Sequence, residues 1–173
     1  MFMVAILHNI RSMFNVGSIF RTADGAGFLK IYLCGITPAP YDEFGRLRSQ
    51  VSKVALGAEK TVEWEKCKST ATIISRLKKE GYTIIAVEIA RGAVPYFKFK
   101  PKKKEKVALI VGHEVKGLSA AILKLSDKII YIPMRGKKES LNVGVAFGVA
   151  AFHISNIRYK IPNIKYQISN IKN

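Results

Sequence analysis

Short runs of β-branched and apolar residues alternate along the chain with stretches of helical periodicity. Residues 4–7, 30–34, 83–87, 107–111 and 128–132 read as strands. Several of these runs are apolar throughout, without the in-out alternation of a half-exposed strand, so the sheet is expected to be mostly parallel and covered by helices on both faces. After the first strand, Val16, Ile19, Phe20 and Ala23 recur at i, i+3, i+4 and i+7. That spacing lays one apolar stripe along a helix, with Asn15 as its expected cap and Arg21 roughly opposite the stripe. Ser69 opens a second helix that turns Ile73, Ile74 and Leu77 inward and stops at Gly81. A short third helix follows Ser119. The last helix, from Leu141 onward, is apolar on every side and needs cover from both the sheet and a second surface, for which a partner subunit is the economical candidate. Gly144 and Gly148, one turn apart, would let another backbone come close there.

The chain of 173 residues is 49% hydrophobic, enough for one packed core, and is expected to form one domain over 1–157 with a basic tail over 158–173. Lys and Arg number 29 against 12 Asp and Glu, a net charge of +17 that points to a polyanionic partner, nucleic acid or an anionic membrane surface. The longest nearly apolar stretch, 141–152, is well short of the roughly 20 residues of a spanning helix, so no membrane segment is expected. Residues 1–7 are apolar but lack a basic leader and a small-residue cleavage site, which makes a first strand and a cytoplasmic location the expectation. Cys34 and Cys67 have no CxxC partner or His cluster, so no metal site and no disulfide framework is expected.

Two segments carry no core pattern. Residues 97–106, FKFKPKKKEK, gather lysines around Pro101 and read as a solvated connection, with contact to RNA phosphates as the sharper alternative. Tyr96, Phe97 and Phe99 could offer stacking faces there, with at least one expected to cover the core. From residue 154 the chain repeats every seven residues, ISNIRYK, IPNIKYQ, ISNIKN. Pro162 and the Asn residues oppose a continuous helix, so this reads as an appended tail, disordered in expectation.

Three clusters of polar residues fall beside strand ends, where open α/β sheets bind ligands. The first runs from His8-Asn9-Ile10-Arg11 through Asn15 to Arg21-Thr22-Ala23. The second, Gly112-His113-Glu114-Val115-Lys116-Gly117-Leu118-Ser119, brackets a carboxylate between two glycines. The third joins Ile132-Pro133-Met134-Arg135-Gly136 to Ser140-Leu141-Asn142-Val143, where Ser140 could cap the last helix. There is no GxxxxGK[ST] loop, no GxGxxG between a strand and a helix, and no second His after His113-Glu114. These absences argue against a nucleotide-dependent α/β enzyme and a zinc protease.

Taken together, NVGxIxRTAxGxG, GxExxGLS and IPMxGxxxSLNVxVA, in that order, resemble the three motifs of the SpoU or TrmH-type RNA 2′-O-ribose methyltransferases of the SPOUT superfamily. The resemblance covers nearly all of 3–152, with SLNV before an apolar helix as its most specific part. It implies a C-terminal trefoil knot, against the general rarity of knots. It also implies S-adenosylmethionine as methyl donor, structured RNA as substrate, and a homodimer that buries the last helix. By the same resemblance Asn15, Arg21, Glu114, Ser140 and Asn142 match the catalytic positions, while Gly112, Ile132, Met134 and Leu141 would hold the donor, with no metal. A guanidinium stays protonated, so Arg21 suits grip on a phosphate and stabilisation of a developing alkoxide better than simple base catalysis. Glu114 would orient Arg21 or the ribose, and Ser140 and Asn142 would fix loop geometry. Gly144 departs from the small hydroxyl residue often found at its place. The chain starts at the first catalytic strand, so RNA selection is expected to rest on the catalytic surface or the tail, with a lean towards tRNA. The competing reading is a basic RNA-binding protein on the same fold without catalysis.

Overall fold

Strand β1 (Met3–His8) lies in the interior of a seven-stranded sheet of order β3-β2-β1-β6-β4-β7-β5, in which every pairing is parallel. The computed structural model describes residues 2–102 and 104–158. The tail read over 158–173 lies outside the described residues except for Arg158, the last residue of a helix. The other strands are β2 (Lys30–Cys34), β3 (Glu63–Cys67), β4 (Tyr82–Val87), β5 (Val94–Pro95), β6 (Lys106–Val111) and β7 (Lys128–Tyr131). The helices are α1 (Met13–Ala26), α2 (Ser49–Ala55), α3 (Ala58–Thr61), α4 (Thr70–Lys79), α5 (Ala120–Leu125) and α6 (Val143–Arg158).

The period of two along β1 divides the core. Met3, Ala5 and Leu7 join a cluster with Val16, Ile19 and Phe20 of α1 and Phe147, Ala150 and Ile154 of α6. Val4 and Ile6 point the other way, into Ile73, Ile74 and Leu77 of α4 and Ile122 of α5. Helices therefore cover both faces, as the unbroken apolar strands require, and the buried aliphatic area is the main favourable term holding the layers together.

The charged sequence of β3 and the two residues of β5 give no strand signal by themselves, because both lie at the edges of the sheet. In β3, Glu65 contacts Lys30 of β2 at 2.9 Å and Arg76 of α4 at 3.0 Å, so its polar residues are used rather than buried. Pro95 is tolerated on an edge because no further strand needs its N–H. Helix α2 also lacks a long apolar stripe. It forms against α1 at Gly17, where a Cβ would come within 2.5 Å of the Val51 carbonyl oxygen.

Three expectations need correction. Asn15 does not cap α1: the helix begins at Met13, and Ser12 Oγ accepts from the Asn15 backbone N–H at 3.3 Å. Ser140 does not cap α6: that task falls to Asn142, whose Oδ1 accepts from Gly144 N at 2.9 Å and Val145 N at 3.4 Å. Gly144 and Gly148 face Ser18 and Thr22 of this chain's own α1, so their small size admits an intramolecular neighbour. Although far apart in sequence, Cys34 and Cys67 are register partners on β2 and β3, both buried and both free. Burial, followed by the charge of Cys34 and Glu65, pushes the Cys67 thiol up to about 12, which makes it a poor nucleophile.

The 97–106 segment divides as anticipated. Tyr96 and Phe99 pack against the core, and the Phe99 carbonyl meets His153 Nε2 of α6 at 2.8 Å. Phe97 and the described lysines 98, 100, 102 and 104 are exposed.

Candidate active site

The C-terminal ends of β1, β4, β6 and β7 carry the polar clusters to one end of the sheet. Beyond β1 the chain turns sharply at Asn9, whose φ of 57° lies in the left-handed region that Asn tolerates better than most residues. Three side chains fix that turn. Asn9 Oδ1 accepts from Ile36 N at 3.1 Å, pinning the loop after β2. Thr37 Oγ1 accepts from Ile10 N at 3.0 Å and donates to the Leu7 carbonyl at 3.0 Å. Glu114, from the loop after β6, accepts from Arg11 N at 3.0 Å and Ser12 N at 2.9 Å.

The Glu114 loop is itself tightly folded. His113 Nδ1 accepts from Val115 N at 3.0 Å and Lys116 N at 3.2 Å, which assigns the ring proton to Nε2, and Gly117 N donates to the His113 carbonyl at 2.8 Å. Gly117 has a φ of 62°. A Cβ on Gly112 would stand 2.6 Å from the Gly117 carbonyl carbon, so only glycine lets the two sides of the loop meet.

One chain of hydrogen bonds then joins all three sequence clusters. Asn15 Nδ2 donates to Glu114 Oε1 at 3.1 Å, Asn142 Nδ2 donates to Asn15 Oδ1 at 3.1 Å, and Asn142 Oδ1 caps α6. Burial pushes the Glu114 carboxyl up, but the donors at Arg11, Ser12, its own backbone and Asn15 outweigh it and hold the group below its ordinary value. His8, whose Nδ1 lies 2.7 Å from Thr70 Oγ1, is pushed down chiefly by burial, which favours its neutral form.

Beside this network the three strand-end loops enclose a pocket. Val87 ends β4, with Glu88 and Ile89 just beyond it, Val111 ends β6, with 112–115 and Gly117 beyond it, and Ile132 with 140–141 follows β7. Of the residues read from the sequence, Gly112, Glu114, Ile132, Ser140 and Leu141 line it. Asn15 and Glu114 line an adjoining shallow recess with Arg11 and Ser12. Asn142 reaches the site through Asn15, and Met134 stands outside the lining. Arg21 is exposed on α1 and lines neither recess, and its guanidinium makes no hydrogen bond or ion pair among the described residues. Glu114 therefore orients the loop before α1 and Asn15, not Arg21. Glu88 was missed by sequence reasoning. A carboxylate one residue past a strand end was the available signal.

The arrangement suits a small molecule bound largely by backbone and aliphatic groups, with polar groups fixed beside it. Comparison with known proteins agrees. Residues 3–152 match the model of the SpoU rRNA Methylase family. The tRNA (guanosine(18)-2′-O)-methyltransferase of Aquifex aeolicus is 28% identical over 156 residues, covering 90% of this chain and 70% of its own. The 23S rRNA (guanosine(2553)-2′-O)-methyltransferase RlmP of Bacillus subtilis is 29% identical over 151 residues, covering 87% of this chain and 57% of its own. The chain thus spans little more than half the length of that rRNA-directed relative. The crystal structure of an AdoMet-bound rRNA methyltransferase from Sinorhizobium meliloti superposes with a TM-score of 0.77 at 28% identity, covering 90% of this chain and 55% of that one.

Proposed function

Because the chain belongs to the SpoU rRNA Methylase family, we propose that it transfers a methyl group from S-adenosylmethionine to a ribose 2′-hydroxyl of RNA. The observation that carries this reading is the Glu114-Asn15-Asn142 hydrogen-bond chain, which ties the polar residues of all three motifs to the rim of one pocket. The net charge of +17 supports a polyanionic substrate. Relatives of nearly equal identity act on tRNA and on rRNA, so similarity gives neither preference.

The residues present fit the donor. The close backbone approach at Gly112 leaves main-chain groups at the pocket wall, and Ile132 and Leu141 supply apolar surface for a purine. When bound, the donor supplies an electrophilic methyl on a sulfonium, a good leaving group once the methyl passes to oxygen. The protein's share is positioning and charge. Asn15 and Ser140 are polar groups at the rim, with Asn15 held by Glu114 and Asn142. The 2′-hydroxyl gives up its proton to solvent water as the new O–C bond forms and the donor's C–S bond breaks, so a hydrogen-bond donor aimed at the developing oxyanion lowers the barrier. Arg21, with its guanidinium uncommitted among the described residues, is assigned to the RNA phosphate and to that charge.

Four further elements belong to the proposal. Residues 1–157 act as one catalytic domain, operating in the cytoplasm. Among the described residues no helix is long and apolar enough to cross a membrane. The knot is supported by the convergence of the 132–142 segment with the 112–118 loop around one pocket. A homodimer through α6 is supported by Val145, Phe152 and Ile157, which are 53%, 44% and 38% exposed in the single chain.

The test is methyl transfer from labelled S-adenosylmethionine into tRNA and rRNA lacking native modification, followed by nucleoside analysis. A 2′-O-methylated nucleoside is the expected product. A methylated base would overturn the mechanism, and absence of both transfer and donor binding would favour the non-catalytic RNA-binding reading. Arg21→Ala should lower turnover roughly 10²- to 10³-fold with the fold intact. Near-normal turnover would remove Arg21 from the mechanism.

A further inference from the structure

Two carboxylates line the pocket, and only one is accounted for by the motif network. Glu114 is occupied: its oxygens accept from the backbone of Arg11 and Ser12 and from the Asn15 amide. Glu88, just past the end of β4, is held differently. Its Oε2 accepts from Leu118 N at 2.8 Å and its Oε1 from Ile89 N at 3.0 Å, one backbone donor on each oxygen. Its own backbone N–H donates to the Ile130 carbonyl at 2.9 Å, fixing the residue between β4 and β7. No lysine, arginine or histidine forms an ion pair with it among the described residues, although the chain carries +17 overall.

A carboxylate offers about four acceptor positions, so one remains on each Glu88 oxygen after these two bonds. The group is half-buried, which makes unused acceptor capacity costly, and the pocket it lines is where that capacity can be met. A vicinal diol matches the requirement, since its two O–H donors can meet the two oxygens of one carboxylate. An acidic side chain at a strand end commonly grips a nucleoside ribose in this way. The placement of Gly117 agrees: with φ of 62°, a Cβ there would stand 2.3 Å from Glu88 Oε2, so glycine keeps the carboxylate seated against the loop.

We propose that Glu88 is the binding residue for the ribose diol of the methyl donor, and that it couples donor binding to the 112–118 loop. The assignment rests on the donor reading given above. It places the nucleoside ribose beside the ends of β4 and β6. The same carboxylate that receives the diol holds the Leu118 amide, so donor binding and loop position stabilise each other.

Isothermal titration with S-adenosylhomocysteine and with its 2′,3′-dideoxyribosyl analogue tests the assignment without any turnover. The wild-type protein should bind the dideoxy compound about tenfold to a hundredfold more weakly, the loss expected for hydrogen bonds to a charged acceptor. Glu88→Ala should weaken S-adenosylhomocysteine by a similar factor and bind the two compounds within about twofold of each other. Equal binding of both compounds by the wild type overturns the assignment, and needs no variant to fold. So does a Glu88→Ala protein that still discriminates between them. A residue that only clamps the loop would weaken both compounds together. If the wild type binds neither, the donor reading itself fails, and this assignment with it.

Discussion

Glu114 illustrates how much one side chain does by what it accepts. Its donors come from the turn before α1 and from Asn15, so the charged form is tied to the placement of the first motif. The carboxyl titrates below its ordinary value of 4.5, so its stabilising contribution is fully present above that value and is lost as pH falls through the depressed folded value. Glu114→Gln should therefore lessen the acid-side loss of stability, measured as the thermal unfolding midpoint between about pH 6 and pH 3. Near neutral pH the loss should be only about 1 kcal/mol, because the Arg11 amide lies at an exposed position where water can replace the carboxylate. Turnover should fall much further, about 10²-fold, since small displacements of reacting groups are costly. A variant with wild-type turnover would end the positioning role. The residue types of the site were legible in the sequence: the Glu between glycines and the SLNV run marked their positions. Their pairings were not. Spacing along the chain does not reveal that residues 99 and 127 apart share one hydrogen-bond chain.

At the scale of elements, α1 is gripped from two sides, by α2 at Gly17 and by α6 at Ser18 and Thr22. Two glycines of the same helix therefore predict opposite outcomes. Gly17→Ala drives a methyl to 2.5 Å from the Val51 carbonyl oxygen, which forces α2 away and should cost about 1–3 kcal/mol, outweighing the helix propensity gained. Gly25→Ala meets only the Phe152 ring, at 3.6 Å, and should be neutral or stabilising by up to about 1 kcal/mol. Chemical denaturation of the two variants checks the contrast, and equal effects would contradict the packing described. Periodicity was sufficient for elements that bury a stripe or a whole strand, such as α1, α4, β1 and β6. It failed for β3, β5 and α2, whose sequences lack a long apolar signal. Neighbours already in place stabilise these peripheral elements, which makes their formation a tertiary effect.

For the whole molecule, the outer face of α6 leaves Val145, Phe152 and Ile157 substantially exposed in the single chain. If a second copy covers that face, Val145→Glu with Phe152→Glu should shift the protein to monomer in sedimentation velocity, while circular dichroism stays unchanged. An unpaired charge at an apolar interface should weaken association by at least about tenfold. A wild-type protein that sediments as a monomer at all accessible concentrations would remove the dimer from the proposal. By itself the sequence determined the α/β class, the internal parallel strands, the α1 and α6 apolar surfaces and the residue types gathered at strand ends. Those follow from local periodicity and chemical character, which are properties of the chain in order. Only the tertiary structure decided that Asn15 bridges Asn142 to Glu114, that Gly144 and Gly148 face α1, and that Glu88 lines the pocket. Each depends on groups far apart in sequence meeting within a few ångströms, and that distance is set by how the sheet orders its strands.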